Sequence, residues 1–378
     1  MTTNSNDNEK ALQLSGPTKV WTRTRSLVGV AGFLAGIFLL IRVIETTGFA
    51  GAPAILLGLG VWAIILISTP YALATLIDTE AWRKLLVLGG RNVIDGAKIS
   101  FGRMYRIRTA TEAIVITLPL GSILSDPFKA WMLKREFGLP ISKTAGSIVF
   151  RKTLMGLSQC LVASAVGFFA LIYPNSFSSP AFGDAKIWTL FIVSTAIGLF
   201  YAILTVLFCY SSVVAKLHNW LGKIPFRRLK IWFEKKEPQF HEFNADLSAL
   251  RGIGPILAAT GAYTLLWVFE NVETIIILGF LGASITIPQA ILMEVTCVLL
   301  RSSTPMVPGG IGVQDTGYVS ILMAAGNSGS MAAAFLVIKR SREAMWAVLG
   351  YILIAMSRKK AVDNNSLLLP ATQTVTAP

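Results

Sequence analysis

Histidine and cysteine are nearly absent from this chain, two and three residues in 378, and only 14% of its residues are charged. His218 and His241 lie in one polar stretch without a third ligand and read as solvated side chains; no H-E-x-x-H helix or other usable metal spacing is found. Cys160, Cys209 and Cys297 stand singly inside apolar runs with no C-x-x-C pair, so they read as small core residues rather than a disulfide frame. A Ser/His/Asp set is also missing. No cofactor is expected: the glycine-rich stretch VPGGIGVQD, Val307 to Asp315, lacks the preceding strand and the β-α-β unit that a dinucleotide loop requires. Acidic residues number 20 against 34 basic ones, a net charge of +14. The basic residues lie mostly beside and between apolar segments, where anionic lipid at a cytoplasmic membrane face, and not nucleic acid, is the expected partner.

What the chain has is apolar length: 53% hydrophobic residues and a mean hydropathy of +0.62 exclude a water-soluble enzyme. A hydrocarbon core of about 30 Å takes about 20 residues of helix to cross. Runs of that order cover Leu27 to Ile44, Ala54 to Ile77, Lys143 to Tyr173, Ile187 to Leu217, Pro255 to Leu281 and Met331 to Ser357. Two more, Thr109 to Leu133 and Pro288 to Ala325, are broken by Pro119, Gly121 and Pro127 and by Pro305, Pro308, Gly309, Gly310 and Gly312. Non-helical backbone at membrane depth is tolerated only where protein or a cavity covers it, so both read as re-entrant hairpins. The expected fold is an all-α polytopic integral membrane protein of about six full spans plus two such hairpins. Residues 1–26 form a polar cytoplasmic N-terminus, 27–357 the transmembrane domain and 358–378 a disordered tail. The first run reads as a retained helix, since no small-residue cleavage site follows it.

Charge placement orients the chain. The Asp78 to Arg108 connection, the Lys216 to Arg251 connection and Arg358, Lys359 and Lys360 are basic, whereas Thr46 to Pro53 and Gly282 to Ile287 carry no base. The positive-inside rule therefore puts both termini in the cytoplasm. Residues 216–251 interleave Trp220, Phe226, Trp232, Phe233 and Phe240 with charges, as an amphipathic segment lying on the membrane does. Trp62, Tyr71, Tyr173, Trp188 and Tyr201, near span ends, read as interfacial anchors.

The two broken segments share a pattern. Pro119 and Pro308, Gly121 and Gly310, Asp126 and Asp315, and Arg151 and Arg340 are all separated by 189 residues, and the same offset sets Glu112 against Arg301. With the first copy (about 109–173) entering from the cytoplasm and the second (about 288–357) from outside, the repeats are inverted, an architecture that places binding sites near the midplane.

Lys339, Arg340, Arg342 and Glu343 lie about ten residues into the last span and Arg151 and Lys152 a similar distance into theirs, roughly 12 to 18 Å deep. A charge there costs about 2.5 to 3.5 kcal/mol unless it is paired or faces water. One reading is a cationic pocket for a phosphate-bearing head group anchored by Arg151 and Arg340. The other is structural pairing of Arg340 or Arg342 with Asp315 or Glu294, and of Arg151 with Asp126. Glu270 and Glu273, on one helix face, either bind a proton or cation or neutralise Lys339 and Arg342. The candidate substrate-binding set is Arg151, Arg340, Lys339, Arg342, Asp126, Asp315, Gly309, Gly310 and Glu270.

The stretch TPMVPGGIGVQDTGYVSIL, Thr304 to Leu322, followed by IKRSREAMW, Ile338 to Trp346, resembles the lysylphosphatidylglycerol synthase transmembrane, or flippase-like, family of bacterial membrane proteins. Within it the likeness is closest to the hopanoid-biosynthesis-associated members. LPLGSILSDPFKAWMLKREFG, Leu118 to Gly138, is similar to the family's other half, so the resemblance covers about Leu27 to Ser357. Asp315 stands where the family usually has Glu, and Leu124, Ser125 and Asp126 where it usually has Gly-Gly-Asp. The resemblance implies a lipid translocation module in the bacterial inner membrane. The aminoacyl-phospholipid members carry a further soluble domain; lipid aminoacylation by this chain is not expected. The expected function is a non-enzymatic translocator of a phospholipid or hopanoid-like lipid. Its alternatives are a non-transporting membrane partner of a lipid-biosynthesis enzyme, docked through 216–251, and an intramembrane transferase using Glu270 with Asp315.

Overall fold

A computed structural model describes residue 58 and residues 60–88, 99–139, 141–177, 182–210 and 252–366. The expected first span, the N-terminus and the amphipathic 216–251 segment lie outside the described residues. Helix α1 is Gly60–Leu88, α2 is Phe101–Thr117, α3 is Gly121–Phe137 and α4 is Ile141–Ile172. After a single turn at Pro174–Phe177 come α5, Asp184–Tyr210, α6, Ile253–Phe280, and α7, Ile287–Ser303. A 3-10 turn, Pro308–Gly310, leads to α8, Val313–Ala324, and α9, Gly329–Ser366. The order long helix, 17-residue helix, break, short helix, long helix thus occurs twice, in α1 to α4 and in α6 to α9.

Each break has a local cause. Leu118 precedes Pro119 and is extended (φ −102, ψ 140), as the proline ring demands, and this stops α2. Leu120 then takes a left-handed conformation at φ 57, and the chain turns so sharply that any Cβ at Gly121 would collide with the carbonyl of Ile114. Pro127, expected as a breaker, instead lies inside α3, past its first turn, where it removes one i→i−4 bond without ending the helix. Gly138, at φ 69, donates to the Lys134 carbonyl at 2.9 Å and closes α3 with a left-handed cap, after Lys134 and Arg135 in the last turn. In the second half Thr286 and Gln289 form a reciprocal capping box at the start of α7. The amide of Gly312 donates to the Asp315 carboxylate at 2.9 Å, which starts α8.

Helix α2 packs on α3 and α9, α1 on α6, and α4 on α5 and α6. One buried cluster holds Trp82, Met104, Ile107, Met132, Leu133 and Phe137 in the first half, another Leu292, Met293, Tyr318, Leu322 and Phe335 in the second. Leu85, Phe150, Leu154 and Tyr263 join α1, α4 and α6 between them. Outward faces of α4 and α5 are apolar, with Leu161, Phe168, Ile192, Leu199, Phe200 and Ile203 exposed, as suits lipid contact. Helices α4, α5 and α6 are long and apolar enough to cross a membrane over Thr144–Ile172, Asp184–Cys209 and Ile253–Phe280.

Two expected boundaries shift. Helix α1 does not end at Ile77 but runs to Leu88, because Ala81, Trp82, Leu85 and Leu86 continue a buried face at helical spacing past Asp78. Helix α9 runs to Ser366, so the tail expected from residue 358 begins as helix; 367–378 lie outside the described residues.

Candidate functional site

Asp78 is wholly buried at the centre of one ionic cluster. It accepts bonds from Arg151 Nε and Nη2 at 2.9 and 2.5 Å, and from Arg108 Nε at 2.9 Å. Arg108 in turn lies 3.2 Å from Glu112, one helical turn along α2, and Glu112 accepts from the Tyr71 hydroxyl at 2.9 Å. Helices α1, α2 and α4 are tied together by one aspartate, because two guanidinium groups placed among apolar side chains need a shared counter-charge. Nearby on α3, Asp126 accepts from Lys129 at 2.8 Å and Lys152 at 2.7 Å.

A second cluster fixes the Pro-Gly-Gly break. Arg340 of α9 bonds Asp315 through Nε and Nη2 at 3.0 and 2.5 Å, and through Nη1 it reaches the Gly309 carbonyl at 3.1 Å and Glu343 at 2.5 Å. Asp315 thus serves both as the cap of α8 and as the partner of Arg340. Lys339 bonds Glu294 at 2.8 and 2.9 Å, and Glu294 also accepts from Thr274 and from the Tyr318 hydroxyl. Arg342 donates to Glu273 at 2.7 Å with its guanidinium 3.9 Å from the centre of the Tyr71 ring, so α9 is locked to α6 and α1.

Between these clusters lies a cavity of about 430 Å³. Its wall includes Arg108, Lys129, Arg151, Lys152 and Arg301, with Glu112 and Glu270 as the carboxylates. Both helix breaks contribute, through Ser122 on one side and Pro305, Val307, Gly309 and Gly310 on the other. Arg151 lies about 15 Å along α4 from its start. A separate hollow of about 520 Å³ between α1 and α6 is almost wholly apolar, with Glu80 and Lys84 among its lining groups.

Of the expected site residues, Arg151, Glu270, Gly309 and Gly310 line the cavity. Arg340, Lys339, Arg342, Asp126 and Asp315 stand behind its wall and hold it in place. The expected pair of Arg151 with Asp126 does not form; Asp78 takes Arg151, and Asp126 is occupied by two lysines. Arg340 does pair with Asp315. Glu273 neutralises Arg342, while no ion pair or hydrogen bond engages Glu270 among the described residues. Tyr71 and Tyr201, expected as interfacial anchors, instead border the cavity; Trp62, Tyr173 and Trp188 are exposed.

Sequence reasoning missed Asp78, Arg108 and Tyr71, because it placed the first two in a cytoplasmic connection. The signal was present: Met104, Ile107, Ala110 and Ile114 bracket Arg108 at helical spacing, which marks it as part of a buried face. Among the described residues, no group of three or more His, Cys, Asp or Glu side chains could hold a metal ion.

Compared with protein-family models, residues 27–350 match the lysylphosphatidylglycerol synthase TM region. Neither the curated proteins nor the solved structures contain a significant match.

Proposed function

The chain belongs to the lysylphosphatidylglycerol synthase TM-region family, and from that premise we propose that it carries a phosphate-bearing lipid between the two leaflets of a bacterial inner membrane. Membership makes it a membrane-embedded protein with a lipid-related role; translocation is the reading the cavity favours. The observation that carries it is the cavity lined by five basic side chains and by both helix breaks. A lipid phosphate crossing hydrocarbon meets a severe desolvation cost, and a chamber of fixed cations and backbone donors replaces the lost water. The acyl tails need no such chamber, since the neighbouring faces of α4 and α5 are already apolar and exposed.

In this reading α1 to α4 and α6 to α9 are two copies of one unit, inserted in opposite senses, with six full spans, two re-entrant hairpins and both termini in the cytoplasm. Support comes from the repeated helix order and from the position of the cavity between the copies. The residues assigned to the lipid path are Arg151, Gly309, Gly310 and Glu270, with Arg340, Lys339, Arg342, Asp126 and Asp315 positioning the wall. No covalent chemistry is assigned to the chain.

Native mass spectrometry of the gently purified protein tests the assignment. A phosphate-containing lipid should remain bound to the wild type and be lost when Val115, a small group on the cavity wall, is enlarged to tryptophan. Equal retention in both proteins would place the lipid elsewhere and contradict the proposal.

A further inference from the structure

The basic groups of the cavity wall are not equally available. Arg151 spends its guanidinium on Asp78, Arg108 is shared by Asp78 and Glu112, and Lys129 and Lys152 are both held by Asp126. Arg301 differs. Its ion-pair partner is Glu343 at 3.9 Å, its guanidinium makes no hydrogen bond among the described residues, and its side chain is 30% exposed at the wall. Its seat is specific: a Cβ on Gly310 would stand 2.9 Å from Arg301 Cγ, so the left-handed glycine, at φ 69, is what lets the arginine stem lie across the break. Arg340, by holding the Gly309 carbonyl, fixes that seat from behind.

Glu270 is the complementary exception. It lines both the main cavity and a small adjoining one beside Gln159 and Asn271, and no ion pair or hydrogen bond engages its side chain among the described residues. The charged and titratable groups acting on it are Arg301 and Glu294 from α7, Lys339 and Arg342 from α9, and Tyr71 from α1. Lys339 is bonded to Glu294 and Arg342 to Glu273, so Arg301 is the cation left to balance it. Elsewhere the surpluses cancel, since Asp126 serves two lysines while Arg340 serves two carboxylates.

We infer that Arg301 is the anion-binding group of the cavity and that the anion, a phosphodiester, enters together with one proton, carried by Glu270. The inference rests on the lipid-path reading of the cavity but concerns what binds there, not whether it moves. Arg301 donates hydrogen bonds to the phosphodiester oxygens. The anion then takes over the positive charge that balanced Glu270, and Glu270 accepts a proton from water reaching the cavity and becomes neutral. The site gains one negative and one positive charge, and its balance is kept. Release reverses both steps, so the anion binds and leaves as a neutral load.

Linkage sets the sign. If anion binding makes the Glu270 carboxylate harder to ionise, protons are taken up on binding. Affinity then rises as pH falls, by up to tenfold per pH unit within the window between the free and bound titrations, and is level outside it. The test is equilibrium binding of phosphatidylglycerol to the purified full chain in detergent across that range. Wild type should show the slope. Glu270→Gln should bind at every pH as tightly as wild type does at low pH, with no slope. Arg301→Gln should bind at least tenfold more weakly throughout, and Arg301→Lys should recover part of the loss, which separates charge from misfolding. A wild-type slope in Glu270→Gln, or wild-type affinity in Arg301→Gln, overturns the inference. Glycerophosphoglycerol, the same diester without tails, should bind more weakly than the lipid; equal affinity would assign the site to a soluble anion and overturn the lipid part. Binding as described without leaflet exchange would sink the translocation reading alone, and exchange that ignores pH in the wild type would sink this one alone.

Discussion

Replacing Asp78 by asparagine keeps the shape of the side chain and removes one negative charge from beneath two arginines. Asp78 is fully buried, Arg151 and Arg108 are about 9 and 10% exposed at their side chains, and the aspartate accepts from both. Removing one partner of a buried ion pair costs about 3 to 5 kcal/mol, because the remaining charge is left without compensation. At roughly 2 to 4 °C per kcal/mol for chains larger than the smallest domains, that corresponds to a fall of about 10 °C in apparent Tm. Asp126→Asn is the internal control. Its carboxylate is 24% exposed and Lys152 is half exposed, so water screens that pair, and the buried Lys129 keeps the Ser125 hydroxyl at 3.3 Å, so the loss should be clearly smaller than at Asp78. Trp82 lies 5.4 Å from the Arg151 guanidinium and reports on the same spot, so intrinsic tryptophan fluorescence during heating in detergent is a suitable assay. Equal shifts for the two variants would refute the argument that the buried Asp78 is the stronger ionic tie among α1, α2 and α4.

Three further outcomes follow from the geometry. Gly310→Val should abolish lipid binding, since its side chain would press on the Arg301 stem in a left-handed backbone, whereas Lys235→Arg should leave binding unchanged; native mass spectrometry of both variants checks this. Arg340→Leu combined with Asp315→Leu should give normal protein levels, as an apolar pair can replace buried charges, yet no leaflet exchange, because the Gly309 carbonyl and the α8 cap lose their partners; restored exchange would reduce the pair to architecture. Single cysteines at positions 134 and 236 should react only from the cytoplasmic side, and at 51 and 282 only from outside; external labelling at 134 would remove the inverted repeat.

How much was legible in the sequence depended on whether a feature was local. Helix breaks were, because proline and glycine act on their own neighbours: Pro119 ends α2 through Leu118, and Pro308 to Gly312 separate α7 from α8. The Arg340 to Asp315 pair was also within reach, since the two lie only 25 residues apart, on successive helices after the same break. Partners drawn from distant helices were not. Asp78 and Arg151 are 73 residues apart and meet only because α1 packs near α4; the pairing of Arg342 with Glu273, by contrast, was among the expected ones. Counting charges along the chain reveals that such groups need partners but not which ones they take. Arg301 escaped for another reason: its role comes from how little bonds it, and that is visible only once the other cations of the cavity wall have found their carboxylates.

The central claim, movement of a phospholipid through the cavity, is tested most directly by leaflet exchange in vesicles containing the purified chain. Labelled phosphatidylglycerol in the inner leaflet becomes accessible to a membrane-impermeant quencher only after it has crossed. The wild type should expose the protected half of the label over time, while Val115→Trp and protein-free vesicles should keep it protected. Exchange at the wild-type rate in Val115→Trp, or none in any sample while the protein still retains the lipid, would contradict the account.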